Sequence, residues 1–102
     1  MSIKKKFLKS KPVCKVTFKL PKDIVNGAQH VHLVGDFNNW DEQAAPMKAL
    51  KAGGYSATVE LEAGREYQFR YLVEGKGWIN DEEADKFAPT PFHDAENSVV
   101  VL

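Results

Sequence analysis

The side chains able to carry covalent or acid–base chemistry are few, and their spacing does not suit it. Among the seven Ser and Thr residues, none stands in the Gly-x-Ser-x-Gly turn that exposes a nucleophile. His93 is followed by Asp94, an imidazole with an orienting carboxylate but no nucleophile to activate. His30 and His32 are two apart. On a strand both rings would leave from one face, which suits a metal, but a third ligand at useful spacing is missing. Asp81, Glu82, Glu83 and Asp85 are carboxylates of the kind a glycosidase pairs. Crowded into one short segment, they read instead as a solvated charge run. Gly35 is followed by Asp, Phe, Asn and Asn rather than further glycines, so no phosphate cradle is present. The sequence therefore predicts no catalytic residue, no metal site, no cofactor and no enzyme.

Binding chemistry is better represented. Trp40 closes the run Val31-His32-Leu33-Val34-Gly35-Asp36-Phe37-Asn38-Asn39-Trp40, and Trp78 sits in a second turn, Glu74-Gly75-Lys76-Gly77-Trp78. A sugar ring offers C–H bonds on one face and hydroxyls around its rim. An indole plane covers the first, and amides or a guanidinium bond the second. Trp40 and Trp78 are the candidate platforms. Asn38, Asn39 and Asn97 supply amides that both donate and accept, and Arg70 supplies a rigid donor fork. The structural alternative for each is plain: a tryptophan in a sandwich is often core, and an Asn-Asn pair often serves only a turn.

The elements that must position these groups are strands. Cys14, Val16, Phe18 and Leu20 alternate with lysines and Thr17, and Pro21 ends the run. Val31 and Leu33 form a second strand. Tyr55, Ala57, Val59 and Leu61 form a third after the Gly53-Gly54 turn, and Ala63-Gly64 leads into Tyr67, Phe69, Tyr71 and Val73, with Gln68, Arg70 and Leu72 opposite. Ser98–Leu102 reads as a terminal strand tied into a sheet. Only Asp81–Phe87 is compatible with a helical turn, and Pro89 and Pro91 stop it from extending. Short strands separated by Gly, Pro and Asn turns predict an all-β sandwich. Phe18, Leu33, Val59, Phe69 and Val99 are the expected core members.

A chain of 102 residues supports one domain, read as a flexible basic leader over residues 1–11 and a single β-sandwich over 12–102. The Met start and a final strand ending on Leu102 fit a small complete protein. Cys14 is the single cysteine, which leaves no disulfide framework and predicts a buried small hydrophobe. No apolar run approaches the roughly 20 residues of a membrane span, and no secretory segment is visible. A cytoplasmic location without membrane association is therefore expected. The net charge is zero, but residues 1–22 hold eight lysines and no acid, while residues 23–102 hold six basic and fourteen acidic side chains. That acidic balance would repel a phosphate backbone, so no nucleic-acid partner is expected.

Taken in order, Gly35-Asp36-Phe37-Asn38-Asn39-Trp40, Pro46-Met47, Gly54-Tyr55, Phe69-Arg70-Tyr71-Leu72-Val73-Glu74-Gly75 with Trp78, and Glu96-Asn97-Ser98-Val99-Val100 resemble the glycogen- and starch-binding module family. That family is found in the β-subunit of AMP-activated protein kinase and at the N-terminus of isoamylases and branching enzymes. The resemblance covers most of residues 13–102. It implies an immunoglobulin-like, early-set β-sandwich that binds α-1,4-linked glucan (glycogen, starch or maltooligosaccharide) without catalysis. Carried over, Trp40 and Trp78 look like the stacking pair, Arg70 stands where kinase-type domains have a sugar-contacting lysine, and Asn97 looks like the asparagine that bonds glucose hydroxyls. Asn39 and His93 complete the candidate set. Phe37, Met47 and Val73 look like scaffold. The chain departs from the strongest glucan binders in Pro91–Glu96, which lacks their leucine. His93 stands near that place. Lys76-Gly77 makes the second tryptophan turn one residue longer. A protein-interaction or scaffold sandwich of glycogen metabolism, with a protein partner and little sugar affinity, is the competing expectation.

Overall fold

Strict alternation builds the first sheet. In β2 (Val13–Leu20), Cys14, Val16, Phe18 and Leu20 are buried while the residues between them face outward. β5 (Tyr55–Glu62) pairs with β2 in antiparallel register, Val16 opposite Val59 and Phe18 opposite Ala57. β4 (Lys48–Ala49) extends the sheet beyond β5, and β1 (Ser2–Phe7) beyond β2, giving the order β1-β2-β5-β4. The computed structural model describes residues 2–25, 27–90 and 96–102.

The second sheet is organised around β6 (Glu66–Val73), whose Tyr67, Phe69, Tyr71 and Val73 point into the core. One edge of β6 pairs with β3 (Val31–Gly35). Its other edge is divided. β9 (Glu96–Val101) takes Glu66–Phe69, and β7 (Gly77–Ile79) takes Tyr71–Val73. β8 (Lys86–Pro89) closes the sheet outside β9. The two sheets enclose an aromatic cluster in which Phe18 meets Phe69 edge-on at 4.9 Å between centroids, with Phe69 and Tyr71 5.7 Å apart. Burying each such ring contributes roughly 1.5–3 kcal/mol. This is the all-β, immunoglobulin-like sandwich that the alternation and the resemblance anticipate.

Three expectations need correction. The basic leader is part of the fold: Ser2–Phe7 pairs residue for residue with β2, Ile3 opposite Phe18, because Ile3, Lys5 and Phe7 place an edge row against the core-facing side of β2. The segment Asp81–Phe87 forms no helix but a turn followed by β8. The one-turn helix α1 lies at Lys22–Val25, where the Pro21 carbonyl accepts the Ile24 and Val25 amides. Val59 is only partly buried, and Val99, although buried, lies outside the main core cluster. It faces the opposite side of the second sheet, because Phe69 pairs with Ser98 and the core face therefore belongs to Ser98 and Val100.

The sandwich is closed differently along its two sides. On one, the chain before β4 bonds β3 (Leu33 N–H to Ala45 O at 2.9 Å, Met47 N–H to Val31 O at 2.7 Å) and then crosses to pair with β5. On the other, Lys5 of β1 reaches Asp85 at 2.6 Å, and the same carboxylate oxygen accepts the Val101 amide at 2.8 Å. Partial burial raises the Asp85 pKa, but the hydrogen bonds from Lys5 and Val101 and the lysine charge outweigh it and hold the carboxyl below its ordinary value of 3.8. A depressed carboxylate contributes stability above its unfolded pKa and loses it as pH falls through the folded one. Lys5→Gln is therefore expected to melt about 1–5 °C below the wild type at pH 6. The gap should close in acid, below that ordinary value, which thermal melts across pH will show.

Candidate functional site

The turn that carries Trp40 is anchored from both ends. Gly35 ends β3 so close to β6 that a Cβ there would lie 2.5 Å from the Gln68 carbonyl oxygen. No larger residue fits without displacing β6. A 3-10 turn over Asp36–Asn38 follows. The Asn38 side chain accepts the Gly35 amide and donates to the Leu33 carbonyl, both at 3.0 Å. Phe37 packs into the core, 6.1 Å from Phe18 and 6.3 Å from Tyr67.

Asn39 and Trp40 then both adopt left-handed backbone, with φ of 57° and 56°. Asparagine tolerates this, whereas a bulky residue pays about 1–2 kcal/mol. Three interactions hold Trp40 there. Its amide bonds the Gly35 carbonyl at 2.9 Å, and its indole Nε1–H bonds Asp36 Oδ1 at 2.9 Å. The other Asp36 oxygen accepts the Gln68 amide of β6 at 2.8 Å. Asp36 thus ties the indole to the sheet. Asp36→Ala should leave the fold intact but widen the Trp40 conformational range, visible as a red-shifted, faster-depolarising tryptophan emission when measured in a Trp78→Phe background.

The outer face of the second sheet supplies the remaining candidates. Trp78 on β7 lies across from Leu72 on β6, which lies across from His32 on β3. Glycines at positive φ on either side of Lys76 shape the turn that delivers it, and the side-chain-bearing residue remains 42% exposed. One row along β6, Arg70 pairs with Val34. A further row on, Gln68 stands beside Val99. Val34 and Val99 are buried outside the main core, so an apolar floor lies under the polar groups. The rows of Trp78 and of Gln68, where Trp40 is tethered, are separated by four residues of β6, roughly 13 Å. Trp40 is partly exposed and Trp78 exposed, and neither belongs to the buried core.

Where β7 and β9 part, opposite Arg70, that candidate and Asn80 are fixed by a single carbonyl. Glu96 O accepts Nε and Nη2 of Arg70 at 3.1 and 2.5 Å and Nδ2 of Asn80 at 2.7 Å. The guanidinium is clamped in one plane and keeps three N–H groups uncommitted. Asn80 Oδ1 in turn accepts Ser98 N–H and Oγ–H at 3.1 and 2.9 Å. Asn97 donates to Gln68 Oε1 at 2.9 Å, which leaves its own carbonyl oxygen and second N–H available. Arg70, Asn97 and Gln68 therefore form one polar cluster on the face that carries Trp78, and Asp36 ties Trp40 to the Gln68 backbone. Asn39 is exposed at the rim beside Trp40. His93 lies outside the described residues, as does most of the Pro91–Glu96 segment.

The acidic segment is not wholly a solvated run. Asp81 is fully buried. Its carboxylate accepts Tyr71 O–H at 2.7 Å and Glu83 N–H at 2.9 Å, and its amide donates to Ser98 Oγ at 2.9 Å. Burial first, then the neighbouring Asp81 charge and hydrogen bond, push the Tyr71 phenol far above its ordinary range. An aspartate spent in this way is not available as a glycosidase acid. Among the described residues, no group of three His, Cys, Asp or Glu could hold a metal ion, and no helix is long and apolar enough to cross a membrane.

Sequence reasoning missed Asp36, Gln68 and Asn80. Asp36 was visible as a carboxylate within a turn of Trp40. The other two owe their roles to β6 and β9, distant in sequence, and carried no local signal. Two indoles reached by solvent, an apolar floor, and amide and guanidinium hydrogen-bonding groups suit a polyhydroxylated ligand.

Comparison with known proteins agrees with that chemistry. The family model for carbohydrate-binding module 48 (isoamylase N-terminal domain) matches residues 25–89. Over 61 residues, the chain is 38% identical to the 1,4-alpha-glucan branching enzyme GlgB of Deinococcus radiodurans, 59% of this chain and 8% of that protein. It is 33% identical over 61 residues to the 1,4-alpha-glucan branching enzyme GlgB of Mycobacterium ulcerans, 60% of this chain and 8% of that protein. The matched region thus spans under a tenth of the length of these curated relatives.

Proposed function

Because this chain belongs to the carbohydrate-binding module 48 family, a family of non-catalytic carbohydrate-binding modules, we propose that it binds α-1,4-linked glucan through the outer face of its second sheet. Trp40 and Trp78 stack on sugar rings of the bound glucan. Arg70 offers its uncommitted N–H groups to hydroxyls, and Asn97 and Gln68 add an acceptor and donors beside it. Asn39 is assigned to the rim, and His93 is retained as a candidate on the family resemblance alone. The substrate class rests on the likeness to glucan branching enzymes together with the aromatic and amide-bearing character of the face.

The observation that supports binding over a purely scaffolding role is the position of the two tryptophans. Both lie outside the buried core, and Trp40 is held in left-handed backbone by the Asp36 tether rather than released to a relaxed conformation. A structural tryptophan has no need of that strain.

Titration with maltoheptaose, followed by tryptophan fluorescence and by co-sedimentation with glycogen, tests the proposal. A saturable change in emission and retention on glycogen are expected. Absence of both at millimolar oligosaccharide overturns the assignment in favour of the scaffold alternative.

A further inference from the structure

The pairing of β1 with β2 has a consequence for charge. Cross-strand neighbours share a face, so Lys4 stands beside Thr17 and Thr58, and Lys6 beside Lys15 and Glu60. Lys19 stands beside Ser56 and Lys48. The 3.0 Å contact of the Thr17 and Thr58 hydroxyls and the 3.9 Å approach of Lys15 to Glu60 place these rows on the outer face of the first sheet. Glu62, at the end of that face, is taken by Arg65 at 3.1 Å. Lys4, Lys6, Lys19 and Lys48 have no ion-pair partner among the described residues.

Stability does not explain this arrangement. Lys6 and Lys15 are directly opposed, and like charges in that position are destabilising. Protection of an exposed sheet edge accounts for lysines on β1 and β4. It does not account for Lys15 and Lys19 on the interior strand β2. A chain of zero net charge thus gathers its cations on the side of the sandwich opposite the candidate sugar face.

We infer that the outer face of the first sheet is a docking surface for an extended acidic polypeptide segment. Side chains on one face of a strand repeat at roughly 6.4–6.8 Å, and an extended peptide presents a carboxylate at every second residue with the same repeat. Its carboxylates therefore fall in register with Lys4 and Lys6 on one strand and Lys15 and Lys19 on the next, while Thr17, Thr58 and Ser56 supply hydroxyls between them. The lysine rows hold neither an aromatic ring to stack a nucleobase nor an arginine fork for phosphate, and no large apolar side chain stands among them to enter a lipid surface. Docking there leaves the opposite sheet free, so the two faces would join an acidic partner to a second ligand.

The test uses the full chain and short poly-L-glutamate, with duplex DNA and vesicles containing an anionic lipid as competing probes. Poly-L-glutamate should bind at about 50 mM salt and weaken strongly by about 200 mM. Combined Lys4→Gln, Lys6→Gln, Lys19→Gln and Lys48→Gln should weaken it at least about tenfold while the melting temperature stays level or rises, since like-charge repulsion is relieved. The maltoheptaose response of that variant should match the wild type whether or not the sugar assignment holds. Equal poly-L-glutamate binding by wild type and variant, or no binding at low salt, overturns the proposal. Tighter binding of duplex DNA or of vesicles overturns the choice of partner.

Discussion

Trp78→Ala is expected to weaken maltoheptaose binding by at least about 30-fold while leaving the sandwich folded. The size follows from two features of the site. An aromatic platform at the centre of a binding face is worth about 2 kcal/mol or more on truncation, and each 1.4 kcal/mol is about tenfold in affinity. The residue is exposed and contributes only a short edge pairing to β6, so its loss should move the melting temperature by no more than a few degrees. Isothermal titration separates the two effects. Undiminished affinity would move the sugar site away from this face, and a collapse in melting temperature would mean that Trp78 is structural.

Asp81→Ala should produce the opposite pattern, with a large loss of stability. The substitution leaves the buried Tyr71 hydroxyl without its acceptor. An unsatisfied buried group costs about 1–3 kcal/mol, so a loss of that size is expected, or roughly 4–24 °C in melting temperature. Adding Tyr71→Phe removes the stranded hydroxyl and should recover part of the loss, which a double-mutant cycle measures. The same pair predicts alkaline sensitivity. The folded phenol is raised above its ordinary value of 10.0, so its contribution is complete below that pH. It declines as the pH rises above it, where unfolded tyrosine ionises. Tyr71→Phe should flatten that decline.

Both expectations draw on features that were unevenly legible. The buried faces of β2, β3 and β6 could be read from alternation, because a strand's period of two leaves its mark in consecutive residues. Trp40, Trp78, Arg70 and Asn97 could be singled out by residue type and by the spacing of the motifs around them. Lys4–Lys6 could not be assigned. A lysine-rich segment reads as a loose arm until its register against Val16 and Phe18 is known. Asp81 was misread for a related reason: carboxylates in a row suggest solvent, and only the Tyr71 hydroxyl, ten residues earlier on β6, reverses that.

The sequence alone determined that this chain is an all-β module with two tryptophans beside Gly- or Asn-punctuated turns, and it identified the family through an ordered set of motifs. These properties are written locally, in residue type and short spacing. The tertiary structure decided what the motifs do with one another. Gln68 lies 32 residues from the Asp36 that ties Trp40 to it, and Arg70 lies 26 residues from the Glu96 carbonyl that fixes its plane. The lysines of β1 and β2 share a face only because of an antiparallel register. Such pairings depend on which strands meet, and strand order is set by burial of the shared core rather than by any local pattern.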